Sequence, residues 1–221
     1  MHADIENTLA NPIEFKTSYY FKTSWDLFWK APWMFIGATV VWLVITSILS
    51  IFPIVGQFAS LVLHSIEIAG FYIVVQKFIN KEAIDFNDFF GGFKLANKLI
   101  IPYILSVFII VAGFFFLVIP GIYLSVAYIL VIPISLYYDE DVWNTLEASR
   151  KIVSKNWFSF FGFLILLFFF NVLGALCLLV GLLVTIPVSI ISTYIVFKDI
   201  LKPSGSDDTY FQDAEILDSH I

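Results

Sequence analysis

Six apolar segments, each close to the length of one bilayer crossing, take up more than half of this 221-residue chain. They read 33–52, 57–78, 99–119, 122–138, 157–179 and 182–197. An isolated apolar run in lipid can satisfy its backbone only by internal hydrogen bonds, so each segment is predicted to be a helix. With 60% apolar and 14% charged residues, the chain lies far from soluble domains, whose charged share is about 25%. The remainder is too short to hold a separate catalytic domain of about 100 residues. The expected fold is all-α: one polytopic membrane bundle of six transmembrane helices. Residues 1–31 are read as a cytoplasmic N-terminal tail with an interfacial helix, 32–200 as the membrane domain, and 201–221 as an acidic, disordered cytoplasmic tail.

The charges orient this bundle. Of the 12 Lys and Arg, 11 lie in four of the seven stretches that flank or join the segments, before the first and after the second, fourth and sixth, and Lys77 stands at the very end of the second segment beside one of them. Basic residues stay on the cytoplasmic side, so both termini are expected inside and three tight turns outside. The expected location is the inner (cytoplasmic) membrane of a bacterium. The N-terminus has neither the basic start nor the apolar core of a cleavable signal, so the first span serves as its own insertion signal. The net charge of -6 comes largely from the tails, which removes the basic footprint of a nucleic-acid binder. Cys177, the single cysteine, sits in an apolar run and reads as a buried packing thiol.

Breaker residues pair the segments into hairpins: 53–56, then Pro120 and Gly121, then Gly181. Aromatic residues mixed with charges precede each hairpin. Phe86, Phe89, Phe90 and Phe93 follow i, i+3, i+4, i+7, one face of an α-helix, and Phe21, Trp25, Phe28 and Trp29 share such a face at i, i+4, i+7, i+8. A third, weaker pattern includes Trp143. These read as helices lying on the membrane surface, with Trp29, Trp33 and Trp157 at the aromatic belt. Trp25, Trp29, Phe86, Phe90 and Trp143 are the expected contacts to lipid or to a membrane or cytoplasmic protein partner. The turn glycines Gly56, Gly121 and Gly181 stand 65 and 60 residues apart, which suggests three αα-hairpin repeats.

Seventeen of the 18 acids also lie in the basic stretches; Glu67 alone lies within a span, about ten residues in. His64 precedes it by one helical turn on the same face. A lone carboxylate in hydrocarbon costs at least about 2.5 to 3.5 kcal/mol, so Glu67 should face the bundle interior and pair or take up a proton. Two readings stand side by side: a proton or cation relay, and a structural clasp between spans. Counted from the turn glycines, Ile129 and Ile132 in the second unit and Ser189 and Ser192 in the third match His64 and Glu67. Asn171, with Tyr72, Tyr128 and Tyr194, completes a candidate interior polar cluster. Pro133 and Pro187 are expected to kink the fourth and sixth spans. No metal or cofactor is implied, because the other histidines belong to the tails. No nucleophile beside a base and no phosphate loop is present.

The stretch 119–163, with Pro120-Gly121, Pro133, acids Asp139 to Asp141, Ala148-Ser149-Arg150 and Trp157, resembles a bacterial and archaeal family of small multi-span proteins. It is similar to the membrane domain attached to some glycerophosphoryl diester phosphodiesterases. The resemblance implies a six-span helical bundle of the inner membrane. It does not bring the phosphodiesterase activity, since no barrel-sized domain is present, and it does not extend to His64 and Glu67. The first functional reading is a non-enzymatic scaffold or accessory membrane protein; the alternative is a small proton- or cation-coupled transporter using Glu67 and His64.

Overall fold

The computed structural model describes residues 2–177 and 179–201. The acidic tail therefore lies outside the described residues, apart from Leu201, which ends the last helix. Helices α1 (His2–Ala10), α2 (Thr17–Lys30), α3 (Pro32–Leu49) and α4 (Val55–Ile79) come first, followed by a 3-10 helix (Phe86–Leu95). Then come α5 (Ala96–Phe116), α6 (Val118–Ala127), α7 (Val131–Tyr137), α8 (Val142–Lys155), α9 (Trp157–Leu176) and α10 (Leu182–Leu201). Six helical stretches are long and apolar enough to cross a membrane, and no strand occurs among the described residues. The all-α multi-span bundle is as expected.

One arrangement occurs three times: a short helix, an outer span, a turn, an inner span. The outer spans α3, α5 and α9 each have 22% of their most apolar window buried, against 44%, 50% and 61% for α4, α6–α7 and α10. The second span of each hairpin thus forms the core, and the first faces outward. Each short helix packs on the inner span of the preceding unit: the 3-10 helix on α4, α8 on α6 and α7, and α2 on α10. The chain closes on itself in a ring of three. Sixteen residues beyond each turn glycine stand Tyr72, Tyr137 and Phe197, and they meet at the centre. The Tyr137 hydroxyl donates to the Tyr72 carbonyl, and its ring stacks on Phe197 at 5.7 Å.

The turn glycines prove to be packing residues. Gly56 and Gly121 lie inside the first turns of α4 and α6, and Gly181 immediately precedes α10. A Cβ on Gly56 would stand 1.8 Å from the Leu49 carbonyl oxygen; one on Gly181 would stand 2.5 Å from that of Gly174. A Cβ on Gly113 would stand 3.1 Å from the Gly121 Cα, and one on Gly121 would run into the Phe114 ring at 2.4 Å. Each glycine lets its hairpin arms touch backbone to backbone where the chain reverses. The second reversal falls at Leu117, which is extended, and Pro120 sits in the first turn of α6, where its missing N–H has no intrahelical acceptor to lose. Cys177 is exposed, because the chain leaves α9 there.

The surface-helix expectations change most. Residues 86–95 wind with three residues per turn, so Phe86, Phe89 and Gly92 share one side. This element runs along α4 backbone to backbone: a Cβ on Gly70 would fall 1.9 Å from the Phe89 carbonyl oxygen, and one on Gly92 2.3 Å from that of Ile66. Phe89 is fully buried, Phe90 and Phe93 lie over Trp42, and Phe86 is partly exposed. The segment is a wedge between α3 and α4, with an Asp85–Asp88 capping box at its start. Likewise α2 buries Tyr20, Leu27 and Phe28 against α10 and is part of the bundle. Trp29, Trp33 and Trp143 remain well exposed, Trp25 less so, and Trp157 stacks between Tyr123 and Phe161. The N-terminal segment is also tied down: Lys155 Nζ donates to the carbonyls of Thr8, Leu9 and Asn11.

The two prolines behave differently. Pro133 cannot bond to the carbonyl four residues back, and the fourth span separates into α6 and α7 at 128–130, bridged by tighter i to i+3 bonds. The Ala127 carbonyl freed there accepts from the Ser149 hydroxyl of α8 at 2.7 Å. Ser149, in the Ala148-Ser149-Arg150 stretch, thereby seals the break. Pro187 lies in the second turn of α10, which continues through it without division.

Candidate intramembrane site

Glu67 is where an interior carboxylate was expected. Its side chain is 11% exposed, and one of its oxygens stands 3.1 Å from His64 Nδ1, one turn earlier on α4. His64 is 49% exposed, so it links the outside of the bundle to the buried acid. The His64 ring meets Tyr103 of α5 edge-on at 6.0 Å, and Tyr103 lies within electrostatic reach of Glu67. Tyr103 had no place among the sequence candidates; only the crossing of α4 and α5 brings it here.

Tyr103 also lines a cleft of about 320 Å³ bounded by α4, α5, α6, α7, α9 and α10. Its volume falls at the lower end of the range usual for small-molecule sites. The wall is mostly aliphatic, with hydroxyls from three tyrosines, three serines and one threonine, and no charged side chain faces it. Tyr72 and Tyr128 line it, whereas Tyr194 stacks behind Tyr72 at 5.2 Å. The residues equivalent to His64 come to the same place, since Ile129 and Ser189 line the cleft, as does Ile132. Ser192, equivalent to Glu67, is fully buried away from it, and its hydroxyl has no partner among the described residues. Asn171 reaches across from α9, donating to Ser189 Oγ at 2.7 Å and to the Leu167 carbonyl at 2.8 Å. It acts as a tie between helices at the cleft's edge.

The basic end holds polar groups that sequence reasoning did not single out. Lys198 is 2% exposed, and its Nζ stands 3.5 Å from Gln76 Oε1, which also accepts from the Tyr194 hydroxyl. With Tyr137 these residues tie the three inner spans together. Only an i, i+4 offset of Tyr194 and Lys198 along one face hinted at them. Nearby, the Lys98 ammonium stands 2.6 Å from Asp139 and holds its exposed carboxyl below the usual range. On α8, Arg150 donates twice to Glu147, at 2.8 and 2.7 Å, and lowers that carboxyl in the same way. Among the described residues no group of three His, Cys, Asp or Glu is placed to hold a metal ion.

Six apolar spans in three hairpins around a hydroxyl-lined cleft define a multi-pass, all-α membrane protein. No protein-family model, curated protein or solved structure matches the chain.

Proposed function

We propose that this is a non-enzymatic protein of a bacterial cytoplasmic membrane, with both termini inside, that carries a small molecule in step with proton or cation uptake at Glu67 and His64. One observation carries the reading: His64, paired with the only acid within a predicted span, meets the ring of Tyr103, which lines a cleft formed between the hairpins. A half-exposed imidazole hydrogen-bonded to a buried carboxylate gives a proton a way in from the bundle surface, and the Tyr103 ring beside that pair forms part of the cleft wall. Orientation rests on the basic residues, as before.

Proton entry into liposomes holding the purified protein, read with an internal pH dye, tests this. Glu67→Gln should lower it at least tenfold while the unfolding temperature stays within a few degrees of wild type. Wild-type liposomes no more permeable than empty ones, with and without lipophilic solutes, would overturn the reading. A reporter fused after Ile221 should be active only in the cytoplasm.

A scaffold or accessory role is favoured by a separate observation, the exposure of Trp29 and Trp143 at 54% and 66%. A lipid surface or a neighbouring span would cover such rings. Wild-type protein without flux, together with a partner whose cross-linking is lost in Trp143→Ser, would replace the first reading by this one. Membership of the membrane-domain family resembled by 119–163 belongs to the same proposal.

A further inference from the structure

The cleft has an unequal stock of hydrogen-bonding groups. Ser106, Ser125, Ser189 and Thr193 each spend their hydroxyl proton on a carbonyl of their own helix, at 2.7, 2.8, 2.7 and 3.1 Å. Of these groups, only oxygen lone pairs are left for an occupant. Tyr72, Tyr103 and Tyr128 also line the cleft, and none of the three phenols has a hydrogen-bond acceptor among the described residues. A phenol in an apolar wall wants a partner, because an unmade hydrogen bond there costs about 1 to 3 kcal/mol. The unspent donors are therefore three phenols on α4, α5 and the α6–α7 break. With no charge in the wall, an ionic guest would lose its hydration without compensation.

We infer that the cleft binds an uncharged, largely apolar molecule bearing a carbonyl oxygen, which takes its hydrogen bonds from Tyr72, Tyr103 and Tyr128. This rests on the reading of the cleft as the working site and names the class of molecule it takes. Two sources share this chemistry: the ester carbonyl of a membrane lipid, with part of its chain in the cleft, and a free lipophilic carbonyl compound of one ring. The break at 128–130 has a place in the inference, since it interrupts the inner span where Tyr128 and Ile129 reach the cleft.

The test uses full-length protein in nanodiscs and, as probe, a short-chain benzoquinone, titrated by calorimetry beside the matching hydrocarbon and a carboxylate of the same size. The quinone should bind, and the other two should bind at least tenfold more weakly. Tyr→Phe at 72, 103 or 128, which keeps the ring, should weaken quinone binding about five- to tenfold per phenol. Ile132→Trp, which fills the cleft, should abolish it. Organic extraction of the purified protein separates the sources. A lipid released from wild type and not from Ile132→Trp makes lipid the occupant, and quinone binding without such a lipid makes it a free compound. Quinone and hydrocarbon binding alike, a triple Phe variant with unchanged affinity, or neither probe binding nor lipid release would each overturn the inference. Quinone bound but not moved by a pH gradient overturns only the coupled carrier. Proton flux in wild type with no binding in the cleft overturns only the carbonyl site.

Discussion

Helices α4 and α10 hold the same place in the first and third hairpins, yet they are built differently. Eight and eleven residues past the turn glycine, α4 has His64 and Glu67 where α10 has Ser189 and Ser192; fourteen past it, α4 has Gly70 where α10 has Ile195. Ile195 is fully buried and packs by its side chain, whereas Gly70 lets the 3-10 wedge lie on the α4 backbone. The fold thus accepts a serine at the depth of Glu67. It accepts a side chain at the depth of Gly70 only where no wedge is present. The first difference concerns chemistry, the second packing.

The packing difference gives the largest effect. In Gly70→Ala the new Cβ meets the Phe89 backbone, which cannot rotate away as a side-chain tip could. The cost should exceed about 3 kcal/mol, beyond the usual penalty of overpacking, and show as a collapse of the unfolding temperature or of expression. Gly162→Ala, with open space around its Cβ position, is the control and should be near neutral. Equal stability of the two variants would contradict the backbone contact.

Giving α4 the polar pattern of α10 is the next test. The double substitution His64→Ser and Glu67→Ser removes a carboxylate that costs about 2.5 to 3.5 kcal/mol in hydrocarbon and loses one hydrogen bond worth about 1 kcal/mol. The net result should be stability raised by about 1.5 to 2.5 kcal/mol in denaturant titration, with proton entry abolished. A loss of more than 1 kcal/mol would show that the pair is a clasp holding α4 in place. Ser192→Ala should do less: its hydroxyl is sealed and without a partner among the described residues, so its removal should leave stability unchanged or raise it by under about 1 kcal/mol.

What could be read from the sequence follows the same division. Span number, hairpin pairing and the interior position of Glu67 all come from the cost of exposing polar groups to lipid, a quantity carried by single residues. The wedge was misread because Phe86, Phe89, Phe90 and Phe93 fit an α-helical face equally well. What decides for a 3-10 turn is Gly70, sixteen residues before Phe86, which no local pattern can connect to it. Tyr103 and Lys198 escaped notice for the same reason. An interfacial tyrosine and a flanking lysine look ordinary until α5 crosses α4 and the Gln76–Tyr194 pair closes over the amine.

The smallest expected effect lies on the short helices outside the spans, where α2 and α8 repeat the contrast. Helix α2 fastens to α10 through the buried Tyr20 hydroxyl, which donates to Asp199 at 2.6 Å and whose pKa is pushed well up by burial and then by Asp199. That phenol stays protonated across any acidic titration. Helix α8 relies instead on Glu147, held by Arg150 and approached by Lys151 at 3.5 Å. The Arg150 hydrogen bonds lower the folded-state pKa of Glu147 below its unfolded value of about 4.3, so the ionised acid favours the fold. Its contribution is complete above that value and disappears as pH falls through the lower, folded one. With the pair partly exposed, the amount is about 0.5 kcal/mol. Other carboxylates, Asp139 with Lys98 among them, titrate in the same direction, so the informative quantity is the difference between wild type and Arg150→Gln. Between pH 5 and pH 3, wild type should lose about 0.5 kcal/mol more than the variant. Parallel curves would mean that the fork of bonds on α8 adds nothing to the fold.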